Sequence, residues 1–239
     1  MKKPSPQQIF KKFLKEFGEQ NWWPVTDNGA IKPAYKKRKT LTEKQKLEIC
    51  IGAILTQNTN WKNTEKAMVE LNKAGMTDAE KIANASGKTI ARLIKPSGYF
   101  NQKARKLKIF CRHVEKNYGG KIGSLLEKPL DELRAELLSL HGIGPETADS
   151  ILLYAAQKPS FVADAYARRF VERYYGKTNP GYVDVKVFFE SSLPRNAETL
   201  GEMHALLVEF AKQHCRKKPL CQKCFLNNNC KYFQNQKNK

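Results

Sequence analysis

The sequence predicts an all-α protein. Apolar residues recur at three- and four-residue spacing along most of the chain. Capping residues, prolines and glycines stand where the ends of those patterns fall. No stretch alternates apolar and polar residues convincingly enough for a strand, and residues 182–189 are the only short β-prone run.

Ser5-Pro6 reads as an N-cap followed by a first-turn proline, and Ile9, Phe10, Phe13, Leu14 and Phe17 then form an apolar stripe that Gly18 ends. Asn21-Trp22-Trp23-Pro24-Val25 follows, with the proline disfavouring helix at Trp23. Residues 26–39 read as loop and close on the basic run Lys36-Lys37-Arg38-Lys39. Thr40 with Glu43 fits a capping box for a helix carrying Leu47, Ile51, Ile54 and Leu55 on one side. A polar break, Thr56-Gln57-Asn58-Thr59-Asn60-Trp61, precedes a helix with Ala67, Met68 and Leu71 inward. Thr77 with Glu80 fits a second capping box, and short helices are expected around Ile82 and residues 91–94, before a turn at Pro96-Ser97-Gly98. Residues 101–117 form a longer helix with Ala104, Leu107, Phe110 and Val114 inward, stopped by Gly119-Gly120. Further helices are expected over 185–191 and about 200–214.

Length admits one large or two small domains. The amino terminus shows no apolar run of a signal peptide, and no segment is long and apolar enough for a membrane span. The chain is therefore expected to be soluble and cytoplasmic. Lys and Arg number 43 against 23 Asp and Glu, a net charge of +20. Such an excess suits a polyanion bound mainly through its phosphates, and also suits a merely lysine-rich surface.

Two patterns carry chemistry. Cys50 and Cys111 lie in apolar helical stretches and read as buried, inert thiols. Cys215, Cys221, Cys224 and Cys230 instead crowd together as C-x5-C-x2-C-x5-C. Four thiolates suit a metal centre, and the spacing leaves zinc and a [4Fe–4S] cluster both open. The second pattern is Leu140-His141-Gly142-Ile143-Gly144, placed between a helix opened by Pro129 and one with Pro145 in its first turn. Glycine permits a tight reversal there, and the start of the second helix favours an anion such as a nucleic-acid phosphate. An ordinary helical hairpin would read the same way. Asp164, further on, fits the N-cap of a helix over 165–170.

Taken together, the glycine hairpin, Thr147-Ala148 and an Asp eighteen residues beyond Glu146 resemble the helix-hairpin-helix DNA glycosylases of the endonuclease III superfamily. The resemblance implies a two-lobed fold: a central helical lobe over 41–158 and a second lobe from 1–40 plus 159–239, with an active cleft between them. It implies that Asp164 is the catalytic carboxylate, that the Gly142 and Gly144 turn grips DNA, and that Gln57 fills the space a flipped nucleotide leaves. It also implies a [4Fe–4S] cluster on Cys215, Cys221, Cys224 and Cys230, in a loop over 215–230 that presents Lys217 and Lys218, with Arg216 and Lys223, to phosphates. The family spacing is C-x6-C-x2-C-x5-C, so this chain is one residue short in the first gap.

Two further features bear on the activity. Where bifunctional members carry a Schiff-base lysine, this chain has Glu146, and a carboxylate cannot form that imine. The resemblance therefore implies a monofunctional enzyme. Trp22-Trp23-Pro24 and Trp61 look like the 3-methyladenine DNA glycosylase III subgroup, whose aromatics sandwich an alkylated base. An alkylated purine is then the expected substrate, in double-stranded DNA, met by a monomer on the nucleoid of a bacterium or archaeon. An endonuclease III-like glycosylase and abasic-site lyase, and a non-catalytic damage-binding iron–sulfur protein, are the alternative readings.

Overall fold

The computed structural model describes residues 3–237. Its helices are α1 (Pro6–Phe17), α2 (Glu43–Leu55), α3 (Trp61–Lys73), α4 (Ala79–Asn84), α5 (Gly87–Leu93), α6 (Phe100–Tyr118), α7 (Ile122–Leu126), α8 (Leu130–Ser139), α9 (Pro145–Ser150), α10 (Ala165–Phe170), α11 (Tyr182–Glu190), α12 (Ala197–Gln213) and α13 (Lys231–Lys237). Among the described residues there is no strand, only an isolated antiparallel bridge between Val25 and Ala34. The all-α expectation holds. Among the described residues no helix is long and apolar enough to cross a membrane.

The helix starts follow local chemistry, with two corrections. Ser5 caps α1 in a box with Gln8, and Pro6 is its first residue. The cap of α2 is Thr42 with Gln45, not Thr40 with Glu43. Glu43 instead accepts a hydrogen bond from Gly123 N at 2.9 Å. Asp78, not Thr77, caps α4, because its carboxylate accepts from Lys81 N at 2.8 Å. The β-prone run is helical: α11 begins at Tyr182, with Asp184 accepting from Gly181 N at 3.0 Å.

The chain divides into two compact units, Asn21–Lys158 and Met1–Gln20 with Pro159–Lys239. The first packs α2 against α3, α6 and the π-helical turn Ile151–Ala155 that continues α9, and packs α4 and α5 against α6. Its core includes Ile54, Leu55, Leu71, Ile82, Leu107 and Phe110. Residues 21–40 belong to this unit, where the sequence placed them with the termini. Long-range bonds on Thr26 explain the difference. Its N–H and hydroxyl donate to Glu48 at 2.8 and 2.6 Å, and its hydroxyl accepts from Asn72 at 3.0 Å.

The second unit packs α1 and α10 against α12. Phe13, Phe170 and Phe210 meet at its centre, with ring centroids 4.9–5.7 Å apart. Tyr174, in the π-helical turn Val171–Tyr175, stacks on Phe170 at 5.2 Å.

Candidate active site and nucleic-acid interface

The hairpin is built from α8, the turn and α9. Gly142 takes φ +93, a conformation that favours glycine, whereas Gly144 is extended at φ −95 and ψ 178. Only one of the two glycines therefore serves the reversal. At Gly144 an added Cβ would meet nothing within 4 Å, so the fold itself does not require glycine there. Ile143, between them, is buried and anchors the turn. A bidentate pair that sequence reasoning missed clamps the two helices: Arg134 donates to fully buried Asp149 at 2.9 and 3.3 Å.

Gln57 lies against this turn. Its amide nitrogen donates to Gly142 O and Thr147 Oγ1, both at 2.9 Å, and its amide oxygen accepts from Lys106 Nζ at 2.5 Å. Gln57, Gly142 and Gly144, the residues expected to meet DNA, line one recess, and Lys106 lines it with them. Only the helical pattern of α6 spoke for Lys106 in the sequence, and that pattern turns the lysines of this helix outward, whereas Lys106 is half-buried.

Trp22, Trp23 and Trp61 also gather, and Tyr154 joins them. Trp23 meets Trp61 edge to face, with centroids 5.4 Å apart and planes at 89°. It meets Tyr154 at 5.3 Å, and Trp22 meets Tyr154 at 6.2 Å. Such tilted pairs contribute roughly 0.5–1.5 kcal/mol each beyond burial. The perpendicular indoles are not two parallel plates in this structure. Trp23 lies close over α2 at Gly52, where an added Cβ would stand 3.1 Å from its indole nitrogen. The indole nitrogens of Trp23 and Trp61 are buried without a hydrogen-bond partner. Trp22 remains half-buried, and Pro24 is buried and packs inward.

In the other unit, Asp164 caps α10 as the sequence suggested, its Oδ1 accepting from Ala167 N at 2.8 Å. Oδ2 stands 3.5 Å from Nε2 of buried His204 on α12. The carboxylate ends a buried run, Phe161, Val162 and Ala163. Glu190 of α11 accepts from Phe161 N at 2.8 Å, and Lys186 donates to Ser160 Oγ at 2.5 Å, which fixes the run from below. Asp164 itself is buried, with 9% of its surface exposed.

Cys215, Cys221, Cys224 and Cys230 line one cavity. Among the described residues no group of three or more His, Cys, Asp or Glu converges as a site for a metal ion. A lone zinc would gather four sulfurs about 2.3 Å from one point; a multi-iron cluster spreads its ligands round a larger volume. Burial pushes the Cys224 thiol up to about 11, and the Cys221 and Cys230 thiols upward, which favours their neutral form. Two other features of the cavity fit such a group. Backbone N–H groups of Leu226, Tyr232 and Phe233 favour the Cys224 and Cys230 thiolates. The Tyr174 hydroxyl and His214 Nδ1, both bordering the cavity, are buried without a hydrogen-bond partner. Arg173 donates to Cys215 Sγ at 3.6 Å and to the carbonyls of Arg216 and Lys217 at 2.6 and 3.1 Å. Lys217 and Lys218 are exposed.

A helical protein with a glycine hairpin, a capped carboxylate and an aromatic nest is the class that the comparisons recover. The model of the HhH-GPD superfamily base excision DNA repair protein matches residues 51–195. A proposed DNA repair glycosylase of Methanocaldococcus jannaschii is 40% identical over 226 residues, 93% of this chain and 94% of that one. Endonuclease III of Thermotoga maritima is 30% identical over 193 residues, 80% of this chain and 85% of that one. The crystal structure of an H. pylori 3-methyladenine DNA glycosylase bound to 1,N6-ethenoadenine superposes with a TM-score of 0.69 at 27% identity, covering 88% of this chain and 98% of that one. The chain belongs to the HhH-GPD superfamily and is a DNA glycosylase of that base-excision repair type.

Proposed function

We propose that the protein is a monofunctional DNA glycosylase that hydrolyses the N-glycosidic bond of alkylated purines such as 3-methyladenine. The observation that carries this reading is the nest of Trp22, Trp23, Trp61 and Tyr154. Cleavage gives the sugar oxocarbenium character, which the ionised Asp164 carboxylate stabilises while it orients water. A cationic 3-alkyladenine is already a good leaving group, so little acid catalysis is needed. Indole faces attract that cation by about 0.5–2 kcal/mol per contact. Trp22, Trp23 and Trp61 are all half-buried, and each offers a face to such a base, while Pro24 is buried. Likeness to the H. pylori 3-methyladenine DNA glycosylase supports the substrate class.

Gly142 and Gly144 grip a strand, Gln57 enters the duplex, and Lys217 and Lys218 contact phosphates. Cys215, Cys221, Cys224 and Cys230 hold a [4Fe–4S] cluster that fastens the loop and supplies no chemistry to the substrate. The enzyme works as a monomer in a prokaryotic cytoplasm.

Mass analysis of bases released from methylated DNA tests the reading: 3-methyladenine release is expected, and release of no purine overturns it. Likeness to the Thermotoga maritima endonuclease III favours a second reading, a bifunctional glycosylase and lyase. Glu146 stands against it, and borohydride trapping on abasic DNA separates the two, since only a lysine imine leaves a covalent adduct.

A further inference from the structure

We propose that Lys106 is a ligand for a backbone phosphate of the strand at the hairpin, and that Gln57 holds its place in the protein without DNA. This rests on the DNA-binding role given to the hairpin, and it adds a residue and a sequence of events to that role.

Gln57 spends its side chain on the hairpin and Lys106. Its amide nitrogen donates to Gly142 O and Thr147 Oγ1, which holds it against the turn, and Lys106 secures its oxygen. The Lys106 stem can lie there because residue 142 lacks a side chain: a Cβ on Gly142 would come 2.5 Å from Lys106 Cγ. Glycine at 142 therefore serves two ends, the positive φ and the passage of the lysine.

Lys106 is poorly matched by what it holds. An ammonium has three donors and a full charge. Among the described residues Lys106 makes no ion pair, and its hydrogen bond goes to a neutral amide. The nearby charge of Lys103 is of the same sign. Glu146 borders the same recess. A phosphate oxygen forms a charge-assisted bond roughly twice as strong as one between neutral partners. Gly144, open on its Cβ side, lets a strand approach the backbone beside the recess. A phosphate arriving there displaces the Gln57 oxygen and leaves that side chain held only by its nitrogen. Hairpin docking and release of Gln57 toward the strand become one event.

The test is binding of the full chain to an undamaged duplex, by fluorescence anisotropy across a salt series. Loss of one phosphate contact lowers the slope of log K against log salt by about 0.9. Lys106→Met should show that drop, and Lys106→Arg should restore the slope. An unchanged slope in Lys106→Met overturns the phosphate contact. In parallel, the side-chain amide signals of Gln57 in a nitrogen-15 spectrum should shift when duplex is added to the native chain. Signals that stay in place overturn the exchange. A native chain that binds no duplex would instead remove the DNA-binding reading itself, so the two failures are distinguishable. Circular dichroism of Lys106→Met checks that the variant is folded.

Discussion

Asp164 divides its carboxylate between two partners: one oxygen accepts from the N–H of Ala167 at 2.8 Å and the other stands 3.5 Å from Nε2 of His204. The first contact is structural and the second places a titratable ring beside the group proposed to face the sugar. The two roles can be separated. Asn keeps an oxygen for the cap but loses the charge, so Asp164→Asn should retain the native melting temperature while base release falls about 10²–10³-fold. Asp164→Ala should lose activity and also about 1 kcal/mol of stability. Calorimetry beside a base-release assay checks both. Undiminished release by Asp164→Asn would end the proposed mechanism.

Gly52 sits inside α2, where glycine costs about 1 kcal/mol relative to alanine. The compensation is the close approach of Trp23, whose indole a Cβ would meet at 3.1 and 3.2 Å. Gly52→Ala should therefore push the indole outward and lower base release several-fold, with little change in melting temperature because helix propensity and crowding oppose each other. Comparing kcat and KM with those of Trp23→Phe checks that the effect passes through the indole. Equal activity in Gly52→Ala would mean that the indole position does not shape the pocket.

The four thiols around one cavity give a spectroscopic prediction. Protein purified without oxygen should be brown, with broad visible absorption and iron and sulfide in equal amounts. Cys224→Ser should lose the colour and unfold at lower temperature. A colourless native protein containing zinc would replace the iron–sulfur assignment.

Lys103 supplies a pH dependence. Its ammonium is buried and donates to Leu55 O and Ser97 O, both at 2.7 Å. Burial first, and the charge of Lys106 second, lower its pKa from 10.5 to about 8. Between those values the unfolded chain binds the proton and the folded chain does not, so stability should rise with pH through this window. A neutral amine keeps two donors for the two carbonyls, and the fold does not lose the contact. Denaturant melts of the native chain and Lys103→Met from pH 8 to 10 should show the gap widening in favour of the native chain. A constant gap would place the titration elsewhere.

The sequence by itself determined the helices and their punctuation, because those depend on neighbours within a turn. Ser5 before Pro6, Gly119 after α6 and Asp164 before α10 all act where the pattern put them. It also presented the glycine hairpin whole, since the reversal needs only a few adjacent residues. Only the tertiary structure decided which side chains share a place. It set Tyr154 among the tryptophans, Lys106 on Gln57, Arg134 on Asp149 and His204 beside Asp164. It also moved the loop of residues 21–40 into the unit of α2 through Thr26 and Glu48. The reason is range: a helix is chosen by contacts three or four residues apart, whereas a site is chosen by packing between elements that no local pattern can pair.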